Sequence, residues 1–515
     1  MKRDGIIIGT LILTVATTIV RIVGMGFRIY LANILGAEGI GLYQLILTIY
    51  MLMVTLATSG IRVAVSRLVS EELTLRHYAN AKKVLRQSIG LSLFTGLLSA
   101  FLLYYFAEYT AVNILKDSRT ALPMLYLVPS LPLIAVSNCY KGYFYAVGKI
   151  AKPAIIQVTE QLVRIFVIFS IMNAYLPQGI EYGCVAIAIG MTAEELFSLF
   201  LTWLFYIFEK KPFSIKTKQK SDVVMPKILG IALPLSATSY LNAILRTVEN
   251  AMIPARLLVY GLSAEAAMSM YGMIKGMVLP ILFFPSSFLT SLSSILIPSV
   301  AGDNALSNEK RVSDTLSKVL HFTSISGILV VAVFVAFPNE VAIAVYNDSQ
   351  VGLMIKIISY VCPFMYLNMV ISSMLNALGE QMCSFKVNII ESVLKISIIY
   401  FFVPIYGFNA YLFALFITTI LNTILYLMRL LQVSCIVFEI GNWIFKPVIS
   451  AAAAGFLSKA IYNLFVSDSS NNIISLISSI IILCLLYLMG LIFTKSIHLS
   501  SIETKKYLRI RHPER

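Results

Sequence analysis

Apolar runs of about 20 residues recur from one end of this chain to the other, and that is the length an α-helix needs to cross roughly 30 Å of hydrocarbon. On that ruler the sequence predicts an all-α polytopic membrane protein with about fourteen spans. Their approximate cores are 6–32, 41–65, 85–107, 122–145, 153–175, 183–208, 227–253, 269–297, 317–337, 355–377, 387–404, 409–431, 443–466 and 473–493. Of the 515 residues 58% are hydrophobic and 13% charged, whereas soluble domains carry about a quarter charged residues. Water is therefore not the main solvent.

The net charge of +15 raises nucleic acid as a partner, but such proteins concentrate Lys and Arg on a solvated face or tail. Here the cations punctuate the apolar runs, so no nucleic-acid partner is expected. Six cysteines lie mostly inside the runs without a C-x-x-C spacing, and neither disulfides nor a metal site is inferred. Met1-Lys2-Arg3 followed by an apolar stretch imitates a secretory signal, yet no small-residue cleavage site follows, and it reads as a retained first helix.

Cytoplasmic loops keep an excess of Lys and Arg. One set of alternate loops holds Lys2, Arg3, the cations between Arg67 and Arg86, Lys149, Lys152, those between Lys210 and Lys220, Lys310, Arg311, Lys318 and the tail from Lys505. The other set shows only Lys116, Arg119 and Arg256. Both termini are predicted to be cytoplasmic, which requires an even number of spans.

Ala146-Val147-Gly148-Lys149 precedes Glu160 and Arg164, as Ala377-Leu378-Gly379-Glu380 precedes Glu391 and Lys395. These pairs, and Pro132 with Pro363, share one separation of 231 residues (379 minus 148, for example). Several matches at one register indicate an internal repeat. Each repeat holds an even number of spans, so the two lobes run parallel and a substrate site is expected between them. The predicted division is 1–208 for the first lobe, 209–226 for a basic linker, 227–432 for the second lobe, 433–494 for two further helices and 495–515 for a basic tail.

An ionisable side chain within a span costs about 2.5–3.5 kcal/mol on insertion scales and usually faces a cavity, a partner or the interface. Residues four apart share a helix face, which pairs Glu160 with Arg164 and Glu391 with Lys395, and three-apart spacing pairs Arg246 with Glu249. These pairs read first as structural or gating elements. Lys356 and Lys459 sit near span ends, where snorkelling accounts for them. Arg21, Arg28, Arg62 and Lys275 have no evident partner in the sequence. Arg21 and Arg28 lie two turns apart on one face, and a hydrated cleft between lobes, completed by a phosphate-bearing ligand, would gather all four cations. The alternative has Arg28 and Arg62 snorkelling to opposite surfaces, leaving Arg21 and Lys275 deep. Hinge candidates are Gly24, Gly26, Pro234, Pro280 and Pro285. No zinc-protease or Walker motif is present, so a catalytic role finds no support and no cofactor is expected; a coupling ion is not identified.

The segments Gly9-Thr10-Leu11-Ile12-Leu13 with Arg21 and Gly24, Leu35 through Tyr43, Tyr271-Gly272-Met273-Ile274-Lys275-Gly276, Pro285 through Pro298 and Asn376-Ala377-Leu378-Gly379 resemble the multidrug/oligosaccharidyl-lipid/polysaccharide exporter superfamily. Within it the likeness is to the stage V sporulation protein B group, relatives of the lipid II flippases. The resemblance implies a MATE-like fold with alternating access and a cleft that engages the pyrophosphate of an undecaprenyl-linked sugar. Arg21, Arg28 and Arg62 resemble cationic positions of the first two flippase helices. Lys275 stands where the flippases carry an arginine, which removes bidentate phosphate recognition at that point. Spans thirteen and fourteen resemble the pair that cradles the lipid tail. The implied partners are a lipid-linked anionic sugar, membrane lipids and cell-wall synthesis proteins, with a spore cortex precursor as one possible cargo. A multidrug exporter of the same superfamily and a non-transporting scaffold for cell-wall enzymes are the rival readings.

Overall fold

The computed structural model describes residues 3–209, 224–289, 309–434, 439–466 and 472–496, with isolated positions between them. The linker expected over 209–226 and the tail over 495–515 lie mostly outside the described residues, as does the end of the eighth span. The described residues are helical almost throughout.

Helix α1 spans Arg3–Thr58, 56 residues, which would measure about 84 Å if straight. No bilayer accommodates that length as one span. Gly36 breaks it with φ 69° and ψ −178°, a conformation a Cβ strongly disfavours, so the run divides into two helices, 3–35 and 37–58, each long enough for one span. Among the described residues eleven helices are long and apolar enough to cross a membrane, or up to thirteen with each bent pair taken as one span, and the first of these runs contains both arms of α1. The multi-pass helical architecture expected from hydropathy is what the chain adopts.

The first half continues with α2 (Ile61–Thr74), α3 (Tyr78–Tyr109), α4 (Ala121–Leu127), α5 (Ser130–Ala146), α6 (Ala151–Tyr175) and α7 (Ile180–Ile207). The second opens with α8 (Met225–Val259), then α9 (Ala264–Gly272), a wide π-helical turn at Met273–Val278 and α10 (Leu279–Phe283). It continues with α11 (Glu309–Ala336), α12 (Pro338–Tyr346), α13 (Ser349–Ser359), α14 (Cys362–Ala377), α15 (Gln381–Tyr406) and α16 (Phe408–Val433). Helices α17 (Lys446–Val466) and α18 (Asn472–Phe493) pack on each other, and both contact α11.

The repeat is carried into three dimensions. Lys116 and Asn347, 231 residues apart, both have positive φ. Each is followed by an aspartate, Asp117 or Asp348, whose carboxylate accepts from the backbone two residues on. Each aspartate opens a helix pair bent by 44° or 56°. Gly96 and Gly327 lie against the Cα atoms of Pro132 and Pro363, where an added Cβ would come within 2.8 and 2.7 Å. The same cap, bend and glycine-on-proline packing thus recur at one register, which independent helices would not produce.

The halves meet where α1 packs against α8 and α9, with its second arm making the close contacts. Near the Gly36 end the backbones touch. A Cβ on Gly272 would fall 2.0 Å from the Ala37 carbonyl oxygen and 2.4 Å from the Gly41 nitrogen, and one on Gly276 would fall 1.8 Å from the Ile40 side chain. Near the opposite, Gly60 end, Ser236 Oγ donates to the Ser59 carbonyl at 2.8 Å and Tyr240 Oη to that of Leu56 at 3.2 Å.

Candidate functional site

The seam between the halves brings some of the expected cations together and leaves others elsewhere. Arg21 Nη1 donates across it to the Ser287 carbonyl at 2.9 Å. Arg28, two turns on, is exposed, makes no hydrogen bond or ion pair among the described residues, and acts electrostatically on Tyr43 from its own half and on Tyr346 from the other. Asn33, further along the same arm, donates to the Val345 carbonyl at 3.0 Å. The first arm of α1 therefore presents Arg21 and Arg28 to the second half. Arg62 does not join them. It lies in the first turn of α2, beyond the break at Gly60, about 39 Å of helix from Gly36 where Arg28 is about 12 Å away.

Lys275 departs from its expected state. Its ammonium lies 3.4 Å from Glu249, which also faces Lys395 at 3.7 Å, and Lys395 pairs with Glu391 at 3.1 Å. Asn422 donates to the second oxygen of Glu391. Two ammonium groups and two carboxylates thus balance inside the second half, and Lys275 is neutralised by protein rather than awaiting a ligand. The cause is tertiary: the π turn at Met273–Val278 turns Lys275 toward α8, a partner 26 residues away that helical spacing does not reveal.

The same geometry corrects the pairing of Arg246 with Glu249. Glu249 points at the two lysines, while Arg246 is exposed and makes no hydrogen bond or ion pair among the described residues. Four residues beyond it, Asn250 donates across the seam to Thr48 Oγ1 at 3.4 Å. Residues four apart share a helix face, so Arg246 belongs to the seam. It is the cation that spacing rules concealed by assigning it a partner. Its charge still reaches Glu249, behind the lysines.

In the first half the expected Glu160–Arg164 pair is not formed either. Glu160 pairs with Lys141 of α5 at 2.7 Å, and Arg164 with Glu194 of α7 at 3.2 Å while also donating to Gln161. Its counterpart Glu391–Lys395 does form. The repeat conserves the positions but not the partners, because α5 and α7 offer a lysine and a glutamate that the second half lacks there. Lys459 is paired as well, with Glu340, and lies over Phe337 and Tyr462. Lys356 is exposed, as snorkelling requires.

Of the hinge candidates, Gly24 and Gly26 lie within unbroken helix, the break in α1 falling at Gly36. Gly24 faces α6, where a Cβ would stand in ordinary contact 3.6 Å from Gln161 Nε2. Pro234 lies inside α8, which also contains Pro254. Pro280 opens α10 directly after the π turn, and Pro285 falls where the helix ends. The interruptions on the eighth span thus come just before Ser287, which accepts from Arg21.

Helices that pair their charges within each half, yet turn arginines toward the seam between halves, define a multi-pass membrane protein of transporter architecture. Residues 6–302 match the family described as polysaccharide biosynthesis protein, and the chain belongs to that family. It is 26% identical over 467 residues to stage V sporulation protein B of Bacillus subtilis (strain 168), covering 90% of each chain. With the lipid II flippase MurJ of the same organism it shares 26% identity over 341 residues, covering 61% of this chain and 60% of that one. Among solved structures, lipid II flippase MurJ in an inward closed conformation matches with TM-score 0.69 and 16% identity, over 94% of this chain and 99% of that one. An inward-facing multidrug resistance MATE family transporter matches with TM-score 0.63 and 15% identity, over 81% and 98%. The fold is therefore MATE-like, as the sequence motifs implied.

Proposed function

We propose that the chain is an alternating-access flippase that carries an anionic, polyprenyl-pyrophosphate-linked sugar outward across the cytoplasmic membrane, a lipid II-like precursor of peptidoglycan. The observation that carries this reading is the seam itself: Arg28 and Arg246, from opposite halves, face it without an ion pair among the described residues, and Arg21 lies on the same face as Arg28. Guanidinium groups suit phosphate because they hydrogen-bond it bidentately. Relatives named as a lipid II flippase and as a stage V sporulation protein support this cargo class and a role in sporulation, for which a spore cortex precursor is the cargo we propose. In this reading residues 1–208 and 227–432 are the moving lobes, the Gly60 end and both termini are cytoplasmic, and the Gly36 end faces outward. With the interior negative, outward movement gains about 2.3 kcal/mol per negative charge per 100 mV. An apolar cavity of about 650 Å³ between α11, α14 and α17, lined by Ile328, Ala332, Pro363, Ala451 and Phe456 and ending at Lys459, suits the polyprenyl tail.

The test is translocation of a fluorescent undecaprenyl-pyrophosphate sugar in proteoliposomes. A charge-assisted hydrogen bond contributes about 1.5–3 kcal/mol, so Arg28→Glu and Arg246→Glu are each expected to slow flipping about tenfold or more, with unchanged melting temperatures. Wild-type rates in both variants would overturn the anionic-cargo reading. Transport of a lipophilic cation instead would favour the multidrug alternative.

A further inference from the structure

The second half balances its buried charges; the first half does not. Lys141 is engaged with Glu160 and Arg164 with Glu194. Glu195, the next residue on α7, has no hydrogen bond or ion pair among the described residues, and its Oε2 is enclosed without a partner. An isolated carboxylate taken out of water costs several kcal/mol, and such a group becomes neutral rather than bear that cost. A second observation points the same way. Gln161 is only 5% exposed, hands its Oε1 to Arg164, and leaves Nε2 enclosed with no acceptor, as Arg164 leaves Nε. Glu391 in the other half has both oxygens engaged, by Lys395 and Asn422.

We propose that Glu195 is a membrane-embedded proton-binding site. The groups whose charge or dipole reaches it are Lys141 from α5, Glu160 and Arg164 from α6, Glu194 from its own helix and the Tyr50 hydroxyl from the second arm of α1. Protonation forms one O–H bond on the Glu195 carboxylate and takes the set Lys141, Arg164, Glu160, Glu194 and Glu195, two cations and three carboxylates, from a net charge of −1 to zero. The described residues hold no grouping of three His, Cys, Asp or Glu able to hold a metal ion, whereas a proton requires only one oxygen. This goes beyond the flippase reading, and its test requires no transport.

The experiment is infrared difference spectroscopy of the full chain in proteoliposomes, titrated with pH above the range in which ordinary carboxyls change state, about 4. A protonated-carboxyl C=O band is expected in the wild type, lost in Glu195→Gln and kept in Glu391→Gln. Absence of the band in the wild type, or its persistence in Glu195→Gln, overturns the proposal. Should Glu195→Gln not fold, Lys141→Met serves, because it leaves Glu160 uncompensated as well; roughly a doubled band is expected, and an unchanged one overturns the assignment. Sodium added at fixed pH is expected to leave the band intact; if it discharges the band, the site holds sodium and the proton assignment fails.

Discussion

Lys395→Met is expected to destabilise the protein by about 3–5 kcal/mol, the range found when one member of a buried ion pair is removed. Lys395 is 9% exposed and bridges two carboxylates, Glu249 at 3.7 Å and Glu391 at 3.1 Å. Its loss leaves Glu391 with only an amide donor and Glu249 with Lys275 alone. Lys275→Met is expected to do less harm, since Glu249 keeps Lys395, and Arg28→Met to stay within about 0.5 kcal/mol of wild type, as substitutions away from buried networks do. Thermal unfolding of the purified variants in one detergent provides the ranking. If Lys395→Met melted with the wild type while Arg28→Met did not, the division between internal pairs and seam arginines drawn from the geometry would be wrong.

The second large effect is expected at Gly272. A Cβ there meets backbone, the Ala37 carbonyl and the Gly41 nitrogen, so no side-chain rotation relieves the clash and the helices themselves must separate. Overpacking typically costs about 1–3 kcal/mol, and a cost borne only by the state in which the Gly36 end is sealed shifts that equilibrium by about tenfold or more. Gly272→Val is therefore expected to hold the Gly36 end open. The readout is a cysteine replacing Gln44, which lies 3.7 Å from the Cβ position of Gly276. Its labelling by an impermeant thiol reagent should rise about tenfold on the Gly272→Val background. Unchanged labelling, with the variant folded, would mean that this contact persists through the cycle and is not a gate.

The seam was only partly legible in the sequence. Arg21 and Arg28 were found because heptad spacing within one helix fixes a common face, and that argument survives intact in α1. Lys275 and Arg246 exchanged roles because their partners depend on how α8, α9 and α15 are placed, and a three-residue spacing on one helix does not show which way a carboxylate turns. The pair expected between Glu160 and Arg164 failed for the same reason. Helical neighbours compete with groups on adjacent helices, and in a low-dielectric interior the better-oriented charge prevails. Nothing in the chain's periodicity marks Lys141 as the partner of Glu160; only its position one helix earlier on α5 does.

The sequence by itself determined what could be built. Its apolar runs dictate helices, because hydrocarbon leaves backbone groups no other donors or acceptors. Its 231-residue echo dictates two similar halves, visible again in the paired aspartate caps and glycine-on-proline contacts. The tertiary structure alone decided which charges neutralise one another and which remain turned toward the seam. Coulomb energy depends on the distances between helices, and those distances are set by packing across the bundle rather than by order along the chain.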